Sequence, residues 1–340
     1  LKLRVGDLVE VRSPQEILGT LDRKGQLDGM PFMPEMFAFC GRQFKVLSRA
    51  HKTCDTVFPV RGRRVTDAVH LETRCDGQAH GGCEAGCLIF WKQAWLKRLD
   101  TRREASSGPD PSNVSRADHS NISEQDVLRQ TRITGDADGG DATFVCQATQ
   151  LPYATATLAW WDLRQYLEDY TSGNVSVRRL AIGLLFVAYR SLVNLGIGLG
   201  SPLRWLYDKF QQLRGGVPYP LRPGTIPRGG PTPAAALNLI AGELVRVRPY
   251  QEILATCDEA LKNRGMSFDK EMVPYCGQTL RVLKRVNKII DEKSGKMLQL
   301  KNPCIVLDGS ICRSRYSECR MFCPRAIYCY WREIWLERAD

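Results

Sequence analysis

Residues 6–49 and 242–285 can be laid on each other without a gap, and 21 of the 44 aligned positions are identical. VGDLVEVRSPQEILGTLD meets AGELVRVRPYQEILATCD, DGMPFMPEMFAFCG meets RGMSFDKEMVPYCG, and FKVLSR meets LRVLKR. The ends of the two copies agree again after small length changes, FWKQAWLKRL against YWREIWLERA. Self-similarity at this level means one folding unit used twice, and it governs every later assignment. The organisation that follows is a cysteine-rich module over 1–100, a flexible polar linker over 101–142, a helical insert over 143–215, a Pro/Gly-rich linker over 216–235 and a second cysteine-rich module over 236–340.

Each module reads as mostly β. Leu8 to Arg12 alternates in period two after a Gly-acid turn, the stretch from Phe44 to Leu47 is another strand, and Lys288 to Leu300 reads as a hairpin with Ser294-Gly295 at its turn. Pro14 to Leu21 has the look of a short helical turn. The closing strand carries Trp91 and Trp95 in one copy and Trp331 and Trp335 in the other. At a spacing of four on a strand they share a face, which suits core packing better than a ligand platform. Several short strands with glycine turns imply a small barrel. The expected fold is mainly β with a helical insert: two SH3-like small β-barrel modules joined by linker and three helices.

The opening Gly-Asp-x-Val-x-Val-Arg, the long loop and the closing aromatic strand resemble the SH3-like barrel of the nitrile hydratase β subunit. That resemblance implies the barrel fold. It does not carry over the activity, because the close cysteine triplet by which the partner α subunit holds iron or cobalt is missing. The whole chain is also similar to a family of bacterial tandem-module proteins, a resemblance that supplies no function.

Twelve of the thirteen cysteines lie inside the repeats, and Cys146 alone lies outside. The chain opens Leu-Lys-Leu-Arg-Val-Gly, with no secretory pattern and no initiator Met, so a trimmed start stays open. The expectation is a cytoplasmic protein, peripheral to the membrane in one reading. In a reducing compartment clustered cysteines read as metal ligands before disulfides. In the first module Cys75, His80, Cys83 and Cys87 fall within thirteen residues. Gly81, Gly82 and Gly86 between them allow a tight loop, and Cys40 is a fifth candidate. In the second module Cys312, Cys319 and Cys323 stand with Cys276 at the position of Cys40, and Cys304 and Cys329 are further candidates. Thiolate and imidazole at such spacing suit tetrahedral zinc, one site per module. An iron–sulfur cluster, buried apolar cysteines and disulfides are the alternatives. A site closed by four protein ligands is structural, so no catalytic residue is assigned.

Other features point to structure. Glu35/Glu271 and Asp22/Asp258 are retained in both copies, and paired carboxylates can do acid–base work, but in a duplicated module they more often cap turns or satisfy buried amides. His51, His70 and His119 stand isolated in the sequence. Thr157 to Tyr170 has helical character, Ser176 caps an apolar helix running from Val177 to about residue 198, and Ser201-Pro202 opens a third helix ending near Gly215. Arg179, Arg190 and Asn194 fall on one narrow face of the apolar helix, flanked by Trp160, Trp161, Trp205 and Tyr207. Either it is buried in the protein or in a partner, or the stretch from Val177 to Asn194 lies on an anionic membrane surface. The net charge of +11 fits an acidic partner of either kind. The reading that joins these features is a metal-stabilised tandem-barrel interaction or scaffold protein, a subunit or accessory of a larger assembly. A membrane-surface subunit, a basic zinc-containing nucleic-acid-binding protein and a metal- or cysteine-dependent enzyme are the alternatives.

Overall fold

The computed structural model describes residues 2–58, 61–99, 122–133, 142–196, 198–317 and 320–339. Helix and strand each take about 28% of the chain, so the fold is mixed α/β rather than mainly β. The strands form several small antiparallel sheets, and no closed barrel is present among the described residues. Two compact units divide the chain. The first is Leu1–Ser176 with Lys288–Leu298 and Phe322–Arg325, and the second is Val177–Asn287, Gln299–Met321 and Ala326–Asp340. The division falls inside the stretch expected to be one helical insert.

Within each unit the duplicated residues build the same core. Val9, Val11, Ile17, Phe32, Met36, Trp91 and Trp95 in the first have Val245, Val247, Ile253, Phe268, Met272, Trp331 and Trp335 as counterparts, all fully buried. Phe32 meets Trp95 edge-on at 5.2 Å, and Phe268 meets Trp335 at the same separation. Every indole N–H is satisfied: Trp91 by Thr73 and Trp95 by Thr20, Trp331 by Ser310 and Trp335 by Thr256. A buried indole left without an acceptor costs ~1–3 kcal/mol, so these hydroxyls are as much part of the core as the rings. The tryptophans do not share one strand, because a one-turn 3-10 helix intervenes and holds Trp95 in Gln93–Trp95 and Trp335 in Glu333–Trp335.

In the second unit the strands join into one sheet in the order Tyr328–Trp331, Met297–Ile311, Thr279–Ile290, Leu244–Val247, Leu336–Arg338. In the first unit the corresponding strands are interrupted, and two three-stranded sheets result. One is Leu96–Arg98, Leu8–Val11, Gln43–Lys45, and the other is Ser48–Arg49, Ala68–Arg74, Leu88–Lys92. Side-chain amides cover exposed edges of the second of these. Gln147 accepts from the Phe90 amide and donates to the Phe90 carbonyl, both at 2.8 Å. Asn174 makes the same reciprocal pair with Arg49, also at 2.8 Å. Such pairs occupy donors and acceptors that would otherwise template another strand.

Short elements follow their sequence cues. Ser13 caps the helix Pro14–Leu18, and Glu16 returns a bond to the Ser13 amide, closing a capping box. Asp22 accepts from the amides of Lys24 and Gln26, and Asp258 accepts from those of Ala260 and Lys262, so both retained aspartates cap the same turn. The hairpin reading of Lys288 to Leu300 extends in both directions, to Thr279–Ile290 and Met297–Ile311. Helical character over Thr157 to Tyr170 is corrected. Ala156–Leu158 is a strand paired with Gly62–Arg64, and the helix starts only at Arg164–Thr171. Alternating β-branched and small residues there found a strand partner, which outweighs local propensity.

The linker expected over 101–142 lies mostly outside the described residues. Its described part carries the helix Glu124–Gln130, capped by Ser123, and the strand Arg132–Ile133, paired with Thr143–Phe144. The Pro/Gly-rich stretch over 216–235 is a strap on the second module. Ile226 bridges to Asp258, and a methyl group at Gly224 would stand 2.2 Å from the Asp258 carbonyl oxygen. Only glycine allows that approach.

The chain entering each module is held by equivalent residues of different charge. Gln93 accepts from the Leu3 amide at 3.2 Å. Glu333, at the matching place, accepts from the amides of Leu237 and Leu239 at 2.9 and 3.0 Å and from Arg285. Burial raises the Glu333 carboxyl, but the two amides and the Arg285 guanidinium outweigh it and hold the group below its ordinary value. The stability it contributes is therefore present above the ordinary carboxylate range and is lost as pH falls through the folded-state value. Glu333→Gln should cost about 1–2 kcal/mol in urea unfolding at neutral pH. The gap to the parent protein should close as the acid limb is entered.

Candidate metal centre

The loop after strand Ala68–Arg74 turns back on itself and carries the first cysteine cluster. Its ends are tied by the Cys75 amide, which donates to the Cys87 carbonyl at 2.9 Å. Inside it, the amides of His80 and Gly82 both donate to the Gly77 carbonyl. Gly77 has φ +73°, and a Cβ there would stand 2.0 Å from the Cys83 carbonyl oxygen, so the chain reverses only because that position is glycine.

Glu35 joins this loop to the module. It sits in the 3-10 helix Pro34–Phe39, and its Oε1 accepts from the Ala79 amide at 3.2 Å and lies 2.7 Å from His80 Nδ1. The other ring nitrogen, Nε2, lies 3.1 Å from the Val145 carbonyl. A carbonyl only accepts, so Nε2 carries a proton. In the neutral ring Nδ1 would then turn a lone pair toward a carboxylate oxygen. Only a positive charge, a proton or a metal cation, reconciles those two atoms. Glu35 Oε2 is buried with no hydrogen-bond partner among the described residues, and the side chain is only 5% exposed. Burial raises the Glu35 carboxyl, and the hydrogen bond and charge of His80 then bring it below its ordinary value.

Ligand atoms of Glu35, Cys75 and His80 lie within 4.8 Å of one another, a group that can hold a metal ion. No second group of three or more meets that limit among the described residues. Cys75, Cys83, Cys87, Cys146 and His80 line one cavity of about 40 Å³, room for an ion or a water. Cys83 Sγ accepts from the Ile290 amide at 3.4 Å. Burial pushes the Cys75 thiol well up, Cys87 up to about 12 and Cys146 up to about 11. No described cysteine is in a disulfide.

Of the expected first-module ligands, the structure brings Cys75 and His80 together with Glu35 and keeps Cys83 and Cys87 on the same cavity. Cys40 lies elsewhere, at the end of the 3-10 helix against the core, with Glu124 as its charged neighbour. Glu35 and Cys146 are additions. Glu35 had a sequence signal, its retention in both copies, but a carboxylate beside thiols reads as a turn cap. Cys146 had none, being 59 residues beyond Cys87.

Among the described residues the second-module candidates form no group that could hold a metal. Cys276 packs against the core and Cys304 lies 3.2 Å from Met266 Sδ. Cys312 neighbours Cys329 and Ser314. Cys323 belongs to the first unit, where its sulfur accepts from the Cys54 amide at 3.2 Å. Cys319 lies outside the described residues. Glu271, the counterpart of Glu35, explains the difference. Both of its oxygens are used, accepting from Arg315 at 2.8 Å and Tyr316 at 2.6 Å. Burial nevertheless holds its carboxyl above the ordinary value.

Among the histidines, His70 is a core residue. Its Nδ1 lies 2.8 Å from the Ile89 carbonyl, and burial lowers its pKa to about 4. His51 is not isolated, because it lies 3.2 Å from Asp169, which also binds Lys52 at 2.6 Å in a fully buried group. That group fastens helix Arg164–Thr171 to the first module, and a sequence separation over 100 residues hid it. His119 is outside the described residues.

No family model matches the chain. No curated protein matches it.

Glu271→Gln should destabilise the second unit by about 1–3 kcal/mol, because an amide offers one acceptor oxygen where two buried backbone donors need two. Urea denaturation followed by far-UV circular dichroism measures it, and an unchanged midpoint would contradict the tether.

Proposed function

We propose that the chain is a non-catalytic interaction protein whose two SH3-like modules present unlike loops, the first pinned by zinc. The observation that carries the metal is the grouping of Glu35, Cys75 and His80, in which Glu35 keeps a buried oxygen, Oε2, without a hydrogen-bond partner among the described residues. Thiolate, imidazole and carboxylate are all zinc ligands. The His80 Nε2 contact with a carbonyl is the outer-shell arrangement that leaves Nδ1 for a metal. Glu35, Cys75 and His80 would hold the ion, with Cys83, Cys87 or Cys146 at hand for a fourth position. Bound there, zinc supplies a cross-link between the loop and the 3-10 helix. It also lets a buried thiol ionise that burial alone keeps protonated.

The SH3-like reading is supported by the second unit's sheet order. The first strand pairs with both the second and the last, and a 3-10 turn precedes the last strand. The non-catalytic reading is supported by the thiols. Burial raises the pKa of nine described thiols, whereas a nucleophilic cysteine needs a lowered one. Both oxygens of Glu271 and one oxygen of Glu35 are engaged with backbone amides.

Elemental analysis of protein purified without added chelator should give one zinc per chain. Chelation should lower the thermal midpoint, and Cys75→Ser should purify with little or no zinc. Metal-free protein with an unchanged midpoint would overturn the reading.

A further inference from the structure

Two consecutive helices of the second unit, Val177–Val193 and Gly200–Leu213, each expose an apolar face in addition to the face by which they are seated. In a helix packed on a protein the apolar face turns inward and the charges outward. The inward side of the first helix carries Leu180, Gly183, Phe186, Val187 and Val193, with Arg179 and Arg190 among them. Its outward side carries Val177, Leu184, Leu185 and Leu192, with Leu185 69% exposed. The second helix repeats the pattern. Tyr207, Asp208 and Gln211 face in, while Trp205, Leu206, Phe210 and Leu213 face out, Trp205 at 61% and Leu213 at 87% exposure. The inward aromatics pack: Phe186 meets Tyr316 at 5.0 Å and Tyr207 meets Tyr219 at 5.4 Å. The hairpin is thus seated by its inner face, and its second, apolar face is left uncovered by the described residues.

Charge says what covers that face. Residues 177–214 contain six cations and one carboxylate, Asp208. Asp208 is consumed inside, accepting from the Tyr219 amide at 2.7 Å and from Arg222. The outward side therefore offers Arg178, Lys209 and Arg214 among leucines and a tryptophan, with no acid. A second copy docked face to face would set those cations against themselves. An apolar layer topped with negative charge matches both properties. The residues between the helices, 194–199, bear no charge, and Leu195 and Leu199 there are exposed. No helix among the described residues is long and apolar enough to cross a membrane.

We infer that this helical hairpin lies on an anionic lipid bilayer. Its leucines and Trp205 enter the acyl boundary, and Arg178, Lys209 and Arg214 meet the headgroup phosphates.

Sedimentation of the full chain with vesicles tests it. Protein should pellet with phosphatidylcholine vesicles containing phosphatidylglycerol, much less with phosphatidylcholine alone, and be released by salt. Leu185→Asp/Leu206→Asp changes only exposed positions and should abolish pelleting without moving the thermal midpoint. Arg178→Gln and Lys209→Gln should each weaken binding about fivefold. Failure to pellet with either vesicle would overturn the inference. So would pelleting that the Leu185/Leu206 variant retains, or a lipid-free dimer that the same variant turns into monomer.

Discussion

In both modules a buried glutamate reaches from a 3-10 helix into the cysteine loop and accepts backbone N–H groups there. The loop has little regular structure of its own, so this carboxylate is what holds its first turn against the module. A charge in that position is expensive unless hydrogen-bonded or paired. The second module satisfies Glu271 with two amides. The first satisfies one oxygen of Glu35, with the Ala79 amide and His80, and leaves the other without a hydrogen-bond partner among the described residues. The two loops therefore differ in chemistry because one carboxylate is saturated and the other is open, although the helix beneath is duplicated.

The duplicated half of each module was legible because its residues act locally or pairwise within one copy. The Asp22 and Asp258 turns, the Ser13 cap and the tryptophan core follow from short motifs or from retained apolar positions. Elements that depend on distant partners were not legible. Ala156–Leu158 became a strand because Gly62–Arg64 offered an edge, and His51 gained Asp169 from a helix over 100 residues away. Of the cysteine loop at residues 75–87, Cys75 and His80 come together with Glu35, a partner that the spacing did not supply. It gave no warning that Cys323 folds with the first unit. Spacing constrains neighbours along the chain, and tertiary contacts decide the rest.

The middle of the chain is not one element. Its helices Gln147–Ala154 and Arg164–Thr171 belong to the first unit, where Gln147 and Asp169 bind them by buried polar contacts. The helices after Ser176 belong to the second and keep an apolar face outward. Leucines left outward in such number are unfavourable in water, and the lipid surface inferred above would accept them.

Anomalous scattering at the zinc edge from crystals of the purified chain tests the central claim most directly. The account predicts one peak, bounded by Glu35, Cys75 and His80, and none beside Glu271. A peak among the second-module cysteines, or no peak in zinc-supplemented crystals, would contradict it.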